Sequence, residues 1–148
     1  MKSIIIYESV HHSNTEKIAK AMADEIGARI INVRDISVDD LDNYDLVGFG
    51  SGIYYGKVHK NIKNFVESIK SVNKQKSFVF ITSGRGKDDF AEKFKELLEF
   101  YGFDVASTFS CKGFDTFGLL KLIGGINKGR PNEEDLANAR KFAKSLLE

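Results

Sequence analysis

The residues of this chain that are best suited to bind a ligand lie in a polar turn near the N-terminus. The turn follows an apolar run that ends at Tyr7, and its hydroxyl and amide side chains belong to Ser9, Ser13, Asn14 and Thr15. A strand that enters a helix through such a turn directs the unpaired N–H groups and the positive dipole end of the helix at whatever lies above it. Phosphate suits that position best. Because the turn lacks Lys and the G-x-x-x-x-G-K-[ST] pattern, it predicts a site for one phosphate group rather than for a nucleoside triphosphate.

The same turn has a simpler interpretation that needs no ligand. Ser13 and Glu16 have the spacing of a capping box, in which two side chains satisfy N–H groups at the start of a helix. His11 and His12 would help to hold a phosphate dianion when protonated, because imidazole titrates near neutral pH. Neither histidine has a metal-ligating neighbour at a useful spacing, so a metal site is not expected.

Apolar, partly β-branched segments alternate with segments of helical spacing along the chain. The apolar runs are mostly continuous, as in a sheet that is covered on both faces, and the alternation predicts a doubly wound α/β fold with a parallel sheet. The connection from Arg34 to Asp45 is short, and with Leu41 as its main apolar anchor it predicts a weak helix at best. The predicted strands are Ser3 to Tyr7, Arg29 to Val33, Leu46 to Gly50, Phe78 to Thr82 and Asp104 to Ser110.

In an open parallel sheet, ligands bind at the carboxyl ends of the strands, near the point where the strand order reverses. The loops predicted at that edge are rich in glycine and hydroxyl side chains, and the third also carries adjacent tyrosines. Such a set predicts a small phosphorylated ligand with a flat aromatic end. Besides the first turn, the candidate residues are Ser51, Gly52, Ile53, Tyr54, Tyr55 and Gly56 in the third loop and Thr82, Ser83, Gly84, Arg85 and Gly86 in the fourth.

With these motifs in this order, the sequence resembles the flavodoxin family over nearly the whole chain. Ser9 and Ser13 to Thr15 are similar to the family's phosphate loop, and the third and fourth loops are similar to the segments that border the two sides of a flavin ring. The resemblance implies a single flavodoxin-like domain, residues 1–148, a three-layer sandwich whose five-stranded parallel sheet has the order 2-1-3-4-5. It also implies a tightly held, non-covalent FMN that passes electrons between redox partner proteins.

The chain differs from typical flavodoxins in charge, and a second resemblance keeps an enzyme open. Flavodoxins are usually acidic, whereas this chain places Lys57, Arg85 and Lys87 in the loops that would border the flavin. The stretch from Gly50 to His59 and the later run from Leu120 to Gly125 resemble the flavodoxin-like protoporphyrinogen dehydrogenases, FMN oxidoreductases that pass electrons to a quinone. An FMN-dependent oxidoreductase therefore remains the alternative to an electron carrier.

Individual residues near the predicted ring have both structural and functional interpretations. Adjacent residues in an extended loop point in opposite directions, so at most one of Tyr54 and Tyr55 contacts the ring, and we favour Tyr55 because it adjoins Gly56. Gly56 is either a peptide that reorients on flavin reduction or an ordinary turn glycine. Arg85 either reaches the pyrimidine edge or is solvated, and we expect His59 to cap or open the next helix.

Composition limits the choice of partners. The 148 residues include 22 Lys and Arg against 21 Asp and Glu, a net charge of +1. This balance gives no argument for binding to nucleic acid or to an anionic membrane.

Cys111 cannot form an internal disulfide and has no adjacent residues to activate it, so it is expected to be inert. Without a signal-peptide pattern or an apolar run of roughly 20 residues, the chain is expected to be cytoplasmic and not stably inserted in a membrane. We also expect a monomer or weak dimer.

One further segment has no assigned role. Phe114 to Gly129 contains several large apolar residues punctuated by Lys121, Lys128 and, just after it, Arg130. It is interpreted either as packing on the sheet or as a docking surface for a redox partner, since exposed apolar patches rimmed by charge often serve such contacts.

Overall fold

A central sheet with helices on both faces organises the protein. The computed structural model describes residues 1–9, 14–54, 56–70, 72–84, 89–113 and 128–148. Within these ranges the strands are β1 (Ser3–Glu8), β2 (Arg29–Asn32), β3 (Leu46–Tyr54), β4 (Lys57–Val58), β5 (Lys76–Ser83) and β6 (Asp104–Lys112). The helices are α1 (Asn14–Ile26), α2 (Lys60–Glu67), α3 (Asp89–Phe100) and α4 (Glu133–Ser145).

The five predicted parallel strands are confirmed, in the order β2-β1-β3-β5-β6. The numbering differs from the predicted 2-1-3-4-5 because the unpredicted strand β4 pairs antiparallel with the end of β3, through Ile53 opposite Val58. Gly56, with a φ of 75°, lies in the turn between them, a conformation that glycine adopts without steric cost. The sheet therefore carries a short hairpin at its carboxyl edge.

The third strand is longer than predicted. We expected it to end at Gly50, but β3 continues to Tyr54, so the residues from Ser51 to Tyr54, which were assigned to a loop, lie in the strand. Pairing explains the difference, since Ser51 lies between Glu8 of β1 and Ile81 of β5 in the parallel ladder. The polar side chain of Ser51 suggested that the strand had ended, but the backbone of Ser51 pairs with both neighbouring strands and continues the sheet.

Helices α1 and α4 cover one face of the sheet. Their buried side chains pack on Ile5, Phe78 and Phe80 in one apolar cluster. Strand β3 presents glycines to this face, and a Cβ built on Gly50 would lie 2.0 Å from Cζ of Phe80. The glycines of β3 thus leave room for the aromatic rings of β5, which fill the space beneath the helices.

Helices α2 and α3 cover the opposite face over a second apolar cluster. The ring of Phe49 lies at its centre, with ring centroids 6.2 Å from Phe94 and 5.4 Å from Phe103. The connection before β3 forms two 3₁₀ segments, Val33–Asp35 and Val38–Asn43, and Leu41 is 1% exposed within this cluster, in agreement with its predicted anchoring role. Among the helices in the described ranges, none combines the length and apolarity required to span a bilayer.

Candidate functional site

The register of the sheet brings the predicted ligand-binding residues to one edge. At the carboxyl ends of the strands, Gly52 is opposite Thr82, and Ser83 is opposite Lys112. The backbone N–H of Gly113 then donates to the carbonyl of Ser83 over 3.1 Å. The carboxyl ends of β3, β5 and β6 therefore lie side by side, as the parallel topology requires.

The first turn of α1 is fixed directly above this edge by hydroxyl groups. Oγ1 of Thr15 lies 2.8 Å from Oγ1 of Thr82, and both residues are buried. On the other side of the turn, the N–H of Glu16 donates to Oγ of Ser9 over 3.3 Å, while the carboxylate of Glu16 forms an ion pair with Lys20. Two predicted site residues, Thr15 and Thr82, thus link the helix start to the end of β5.

Asn14 opens α1 and lies against the segment that follows β6. A Cβ built on Gly113 would lie 2.5 Å from Nδ2 of Asn14, so the backbone approaches the amide more closely than a residue with a side chain would allow. Gly113 was not among the predicted site residues. Its signal in the sequence was a glycine shortly after the fifth predicted strand, at the carboxyl edge where ligands bind in a parallel sheet.

The hairpin from β3 to β4 is held by Ser51. Its hydroxyl donates to the carbonyl of Gly52 over 2.6 Å and accepts the N–H of His59 over 2.9 Å. Ser51 is fully buried, so its hydroxyl is committed to shaping the loop. A Cβ on Gly52 would lie 2.7 Å from the hydroxyl oxygen of Tyr54, and the half-buried Tyr54 ring meets the ring of His59 edge-on at 5.3 Å.

His59 caps α2, as the sequence predicted. Its Nδ1 accepts the N–H of Asn61 over 3.0 Å, which requires Nδ1 to be unprotonated. Burial lowers the pKa of His59, partly offset by the negative charge of Glu8. The lowered pKa favours the neutral imidazole, in which Nδ1 can accept the hydrogen bond of the helix cap.

Glu8 is a second residue at this edge that sequence reasoning missed. It is 3% exposed, and its carboxylate accepts hydrogen bonds from Nδ2 of Asn61 over 2.8 Å and Nδ2 of Asn32 over 3.2 Å, with Nε of Arg34 at 3.5 Å. Burial opposes ionisation, but the two amides and the guanidinium outweigh it, so the pKa of Glu8 lies below its ordinary value.

A signal for Glu8 was present in the sequence. The residue follows Ile4 and Ile6 at the strand period of two, which places its carboxylate on the same inward face as those isoleucines. A carboxylate buried at such a position needs hydrogen-bonding partners. Identifying those partners required the tertiary structure, because they come from β2, the following 3₁₀ segment and α2.

Cys111 lies at the end of β6 and is inert in its neutral form. Burial, with a smaller contribution from Asp135, raises the pKa of the thiol to about 12. Asp135 itself accepts a hydrogen bond from Nη2 of Arg130 over 2.6 Å and forms a capping box with Asn132 at the start of α4. Asp135 and Arg130, the charged groups near Cys111, thus belong to the start of α4, where Asp135 forms the helix cap. The raised pKa of the thiol agrees with the prediction that Cys111 is inert.

Several predicted site residues lie outside the described residues, and Gly84 and Gly56 lie directly beside them. The segment from 114 to 127, which holds most of the proposed apolar patch, is also outside. The predicted site residues concerned are His11, His12, Ser13, Tyr55, Arg85 and Gly86.

The described part of the edge holds hydroxyl and N–H groups around the start of α1 and two close approaches of glycine backbone, to the side chains of Tyr54 and Asn14. Thr15 and Thr82 supply the hydroxyls, and Gly52 and Gly113 the approaches. Neutral donors at a helix start suit the charge and oxygen geometry of a phosphate monoester. The half-buried Ile53 and Tyr54 on the hairpin add an apolar and aromatic surface beside them.

Comparison with known proteins agrees with this geometry. A family model described as a flavodoxin domain matches residues 4–113. An uncharacterized protein of Methanocaldococcus jannaschii is 50% identical over 99% of both chains. A flavodoxin of Haemophilus influenzae is 26% identical over 69% of this chain and 65% of its own length, so the match spans slightly less than two thirds of that relative. The crystal structure of oxidised flavodoxin 1 from Bacillus cereus superposes with a TM-score of 0.77, covering 99% of this chain and 97% of that one at 17% identity, a likeness of fold.

Proposed function

The chain belongs to the flavodoxin family, and on that premise we propose that it binds FMN without a covalent bond and carries electrons between redox partner proteins. The observation that carries the proposal is the link from Oγ1 of Thr15 to Oγ1 of Thr82, 2.8 Å long. It joins the phosphate-type turn at the start of α1 to the end of β5, just before the loop that follows this strand. A phosphate and a ring carried by one ligand would need these two segments side by side.

The residues present fit the cofactor in number and chemistry. The start of α1 would hold the phosphate through backbone N–H groups and through the side chains of the first turn. The hairpin from β3 to β4 and the loop after β5 would border the ring. The proposed ligand residues are Ser9, His11, His12, Ser13, Asn14 and Thr15 for the phosphate, and Ser51, Gly52, Ile53, Tyr54, Tyr55, Gly56, Thr82, Ser83, Gly84, Arg85 and Gly86 around the ring.

The protein would contribute position and environment, while FMN, when bound, would supply the redox chemistry. Ser51 fixes the hairpin through its bonds to Gly52 and His59, which limits how far the ring-bordering loop can move. Gly56, at a φ of 75°, lets the peptide beside the ring change orientation without a steric penalty. Glu8 ties the end of β1 to the start of α2 beneath the hairpin.

The proposal is tested by comparing FMN with riboflavin, which lacks the phosphate. The full chain should bind FMN and show the visible absorbance of a bound flavin. In Asn14→Asp, a carboxylate replaces the amide at the proposed phosphate site, so FMN affinity should fall by about tenfold or more because like charges repel. The riboflavin affinity of this variant should stay within about twofold of the wild-type value, because riboflavin has no phosphate for the new carboxylate to repel.

The matched control is Asn138→Asp, which makes the same charge change on an exposed residue of α4 and should leave FMN affinity unchanged. If Asn14→Asp lowered the affinities for FMN and riboflavin equally, Asn14 would not be part of the phosphate site. A wild-type chain that cannot be reconstituted with FMN would end the proposal. Steady oxidation of a porphyrinogen with a quinone acceptor would favour the enzyme over the carrier.

A further inference from the structure

An apolar pocket of about 250 Å³ opens at the surface between α2, α3 and the hairpin from β3 to β4. We call it the lysine pocket. Its apolar lining comes from the hairpin and from one face of α3, and its charged lining comes from three separate elements. The apolar residues are Ile53, Val58, Phe90, Phe94 and Leu97, and the charged ones are Lys57, Lys63 and Lys93, with Gly56 beside them.

The charge around the pocket has one sign. Lys57 lies on β4, Lys63 on α2 and Lys93 on α3, and all three are exposed. Among the described residues, no acidic side chain lines the pocket, and the ion pairs formed elsewhere do not involve these lysines. Three positive charges therefore surround one apolar opening in a chain whose net charge is only +1, which favours an anionic occupant.

The interior of the pocket is an extension of the core to the surface. Phe94 is 2% exposed within the α2 and α3 cluster, whereas Ile53, Val58, Phe90 and Leu97 pack against that cluster but stay partly exposed. An apolar group seated there would remove these side chains from water, with a gain proportional to the area covered. The aliphatic stems of the lysines extend the same walls while their charges stay in solvent.

We propose that the lysine pocket binds a small organic anion with one aromatic ring or a short aliphatic chain and a carboxylate head. The ring would contact the apolar residues, and the carboxylate would face the lysines. The volume of the pocket, about 250 Å³, limits the size of the ligand. Pockets for drug-sized ligands begin at about 300 Å³, so the occupant must be smaller than that. A stable protein complex would bury about 1,200 to 2,000 Å² in total, so a protein partner would need extensive contacts outside this pocket.

The lysine pocket adjoins the proposed flavin site and shares two residues with it. Ile53 and Gly56 belong both to its wall and to the hairpin that would border the ring. The remaining lining residues lie on β4, α2 and α3. Because most of the lining residues lie outside the proposed set of flavin ligands, the pocket would accept its ligand with or without FMN in place.

The first test is a titration of the full chain with 4-phenylbutyrate, followed by NMR of the methyl groups. Saturable shifts are expected at Ile53, Val58 and Leu97, whereas Ile18 and Leu146, on the opposite face of the sheet, should not respond. The neutral analogue 4-phenylbutan-1-ol should bind several-fold more weakly, because it lacks the charge that the lysines attract. Equal binding of acid and alcohol, or shifts spread over both faces, would overturn the proposal.

The second test removes the charge while keeping the side-chain stems. The triple variant Lys57→Gln, Lys63→Gln, Lys93→Gln should weaken phenylbutyrate binding by about tenfold, as expected for several exposed ion pairs. The control Lys17→Gln, Lys141→Gln, Lys144→Gln loses the same charge from exposed positions on α1 and α4 and should bind within about twofold of the wild type. Equal losses in the two triple variants would show non-specific attraction and sink the proposal.

A third experiment distinguishes the lysine pocket from the proposed flavin site. The titration is run on the chain with and without FMN, and the two dissociation constants should agree within about threefold. Competition, in which saturating FMN abolishes phenylbutyrate binding, would place the anion in the flavin site and overturn the proposal. A chain that fails to bind FMN but still binds phenylbutyrate at these methyl groups would refute the proposed cofactor and support the lysine pocket.

Discussion

The carboxylate of Glu8 accepts a hydrogen bond from the side-chain amide of Asn61, with 2.8 Å between Nδ2 and Oε2, although the two residues are 53 positions apart in the chain. Asn61 also donates its backbone N–H to His59. Glu8 at the end of β1 and His59 before α2 are thereby connected through one residue. This connection fixes the hairpin that would border the flavin to the strand that enters the proposed phosphate turn.

Glu8→Gln should destabilise the protein at neutral pH. The substituted amide places its own N–H₂ group among the donors from Asn32 and Asn61, so one buried hydrogen bond is lost, and we expect about 2 kcal/mol lower free energy of unfolding in urea. Glu25→Gln, at an exposed position of α1, should change it by less than about 0.5 kcal/mol. Indistinguishable effects of the two substitutions would contradict the role assigned to the buried carboxylate.

The hydroxyl pair of Thr15 and Thr82 should show energetic coupling. Each Thr→Val substitution removes one hydroxyl and leaves the other buried without its partner, so each single variant should lose about 1 to 3 kcal/mol. The double variant should lose less than the sum of the two, with a coupling of about 1 kcal/mol in a double-mutant cycle of urea unfolding without FMN. Strict additivity would show that the 2.8 Å contact contributes nothing to stability.

His59 should make stability fall as the pH drops below neutrality. Its pKa in the folded protein is lowered, chiefly by burial, so the unfolded chain binds the proton more readily. The contribution is fully present above the unfolded value of about 6.5 and is lost as the pH falls toward the folded pKa. Glu8 adds a similar loss in a more acidic window, below about 4.3.

His59→Asn is the variant that isolates this effect. Asparagine keeps a side-chain acceptor for the start of α2 but does not titrate in this range. The fall in unfolding free energy between about pH 7.5 and pH 5.5 should therefore be smaller in the variant than in the wild type, while His11 and His12 are present in both. A fall of the same size in both proteins would show that the titration of His59 is not responsible.

Cys111 should resist alkylation in the native protein. With a pKa of about 12 and a side chain that is almost fully buried, the thiol has little thiolate at neutral pH. Iodoacetamide should modify it at least about a hundredfold more slowly than it modifies the urea-unfolded chain. As a control, the reaction of N-acetylcysteine with iodoacetamide is measured with and without urea, which gives the effect of urea on the reagent. If Cys111 in the native protein reacted as fast as N-acetylcysteine, the thiol would not be buried and neutral as described.

Much of the fold was predictable because it follows from local patterns. Continuous apolar runs marked the five parallel strands, and helical spacing marked α1, α2 and α3 between them and α4 after the last strand. The end of β3 was predicted wrongly at Gly50, because Ser51 has the character of a loop residue, while its backbone is held by neighbouring strands. Strand β4 has two residues, too few for any alternating pattern to show.

By itself, the sequence determined which elements form, which loops meet at the carboxyl edge, and which residue types those loops offer to a phosphate and a ring. These properties follow from periodicity and residue chemistry, both of which are local. Only the tertiary structure decided that Thr15 lies against Thr82, 67 residues away, that Glu8 is held by Asn32 and Asn61, and that lysines from β4, α2 and α3 surround one pocket. Such contacts depend on strand register and helix packing, which place residues that are distant in the chain within a few ångströms of one another.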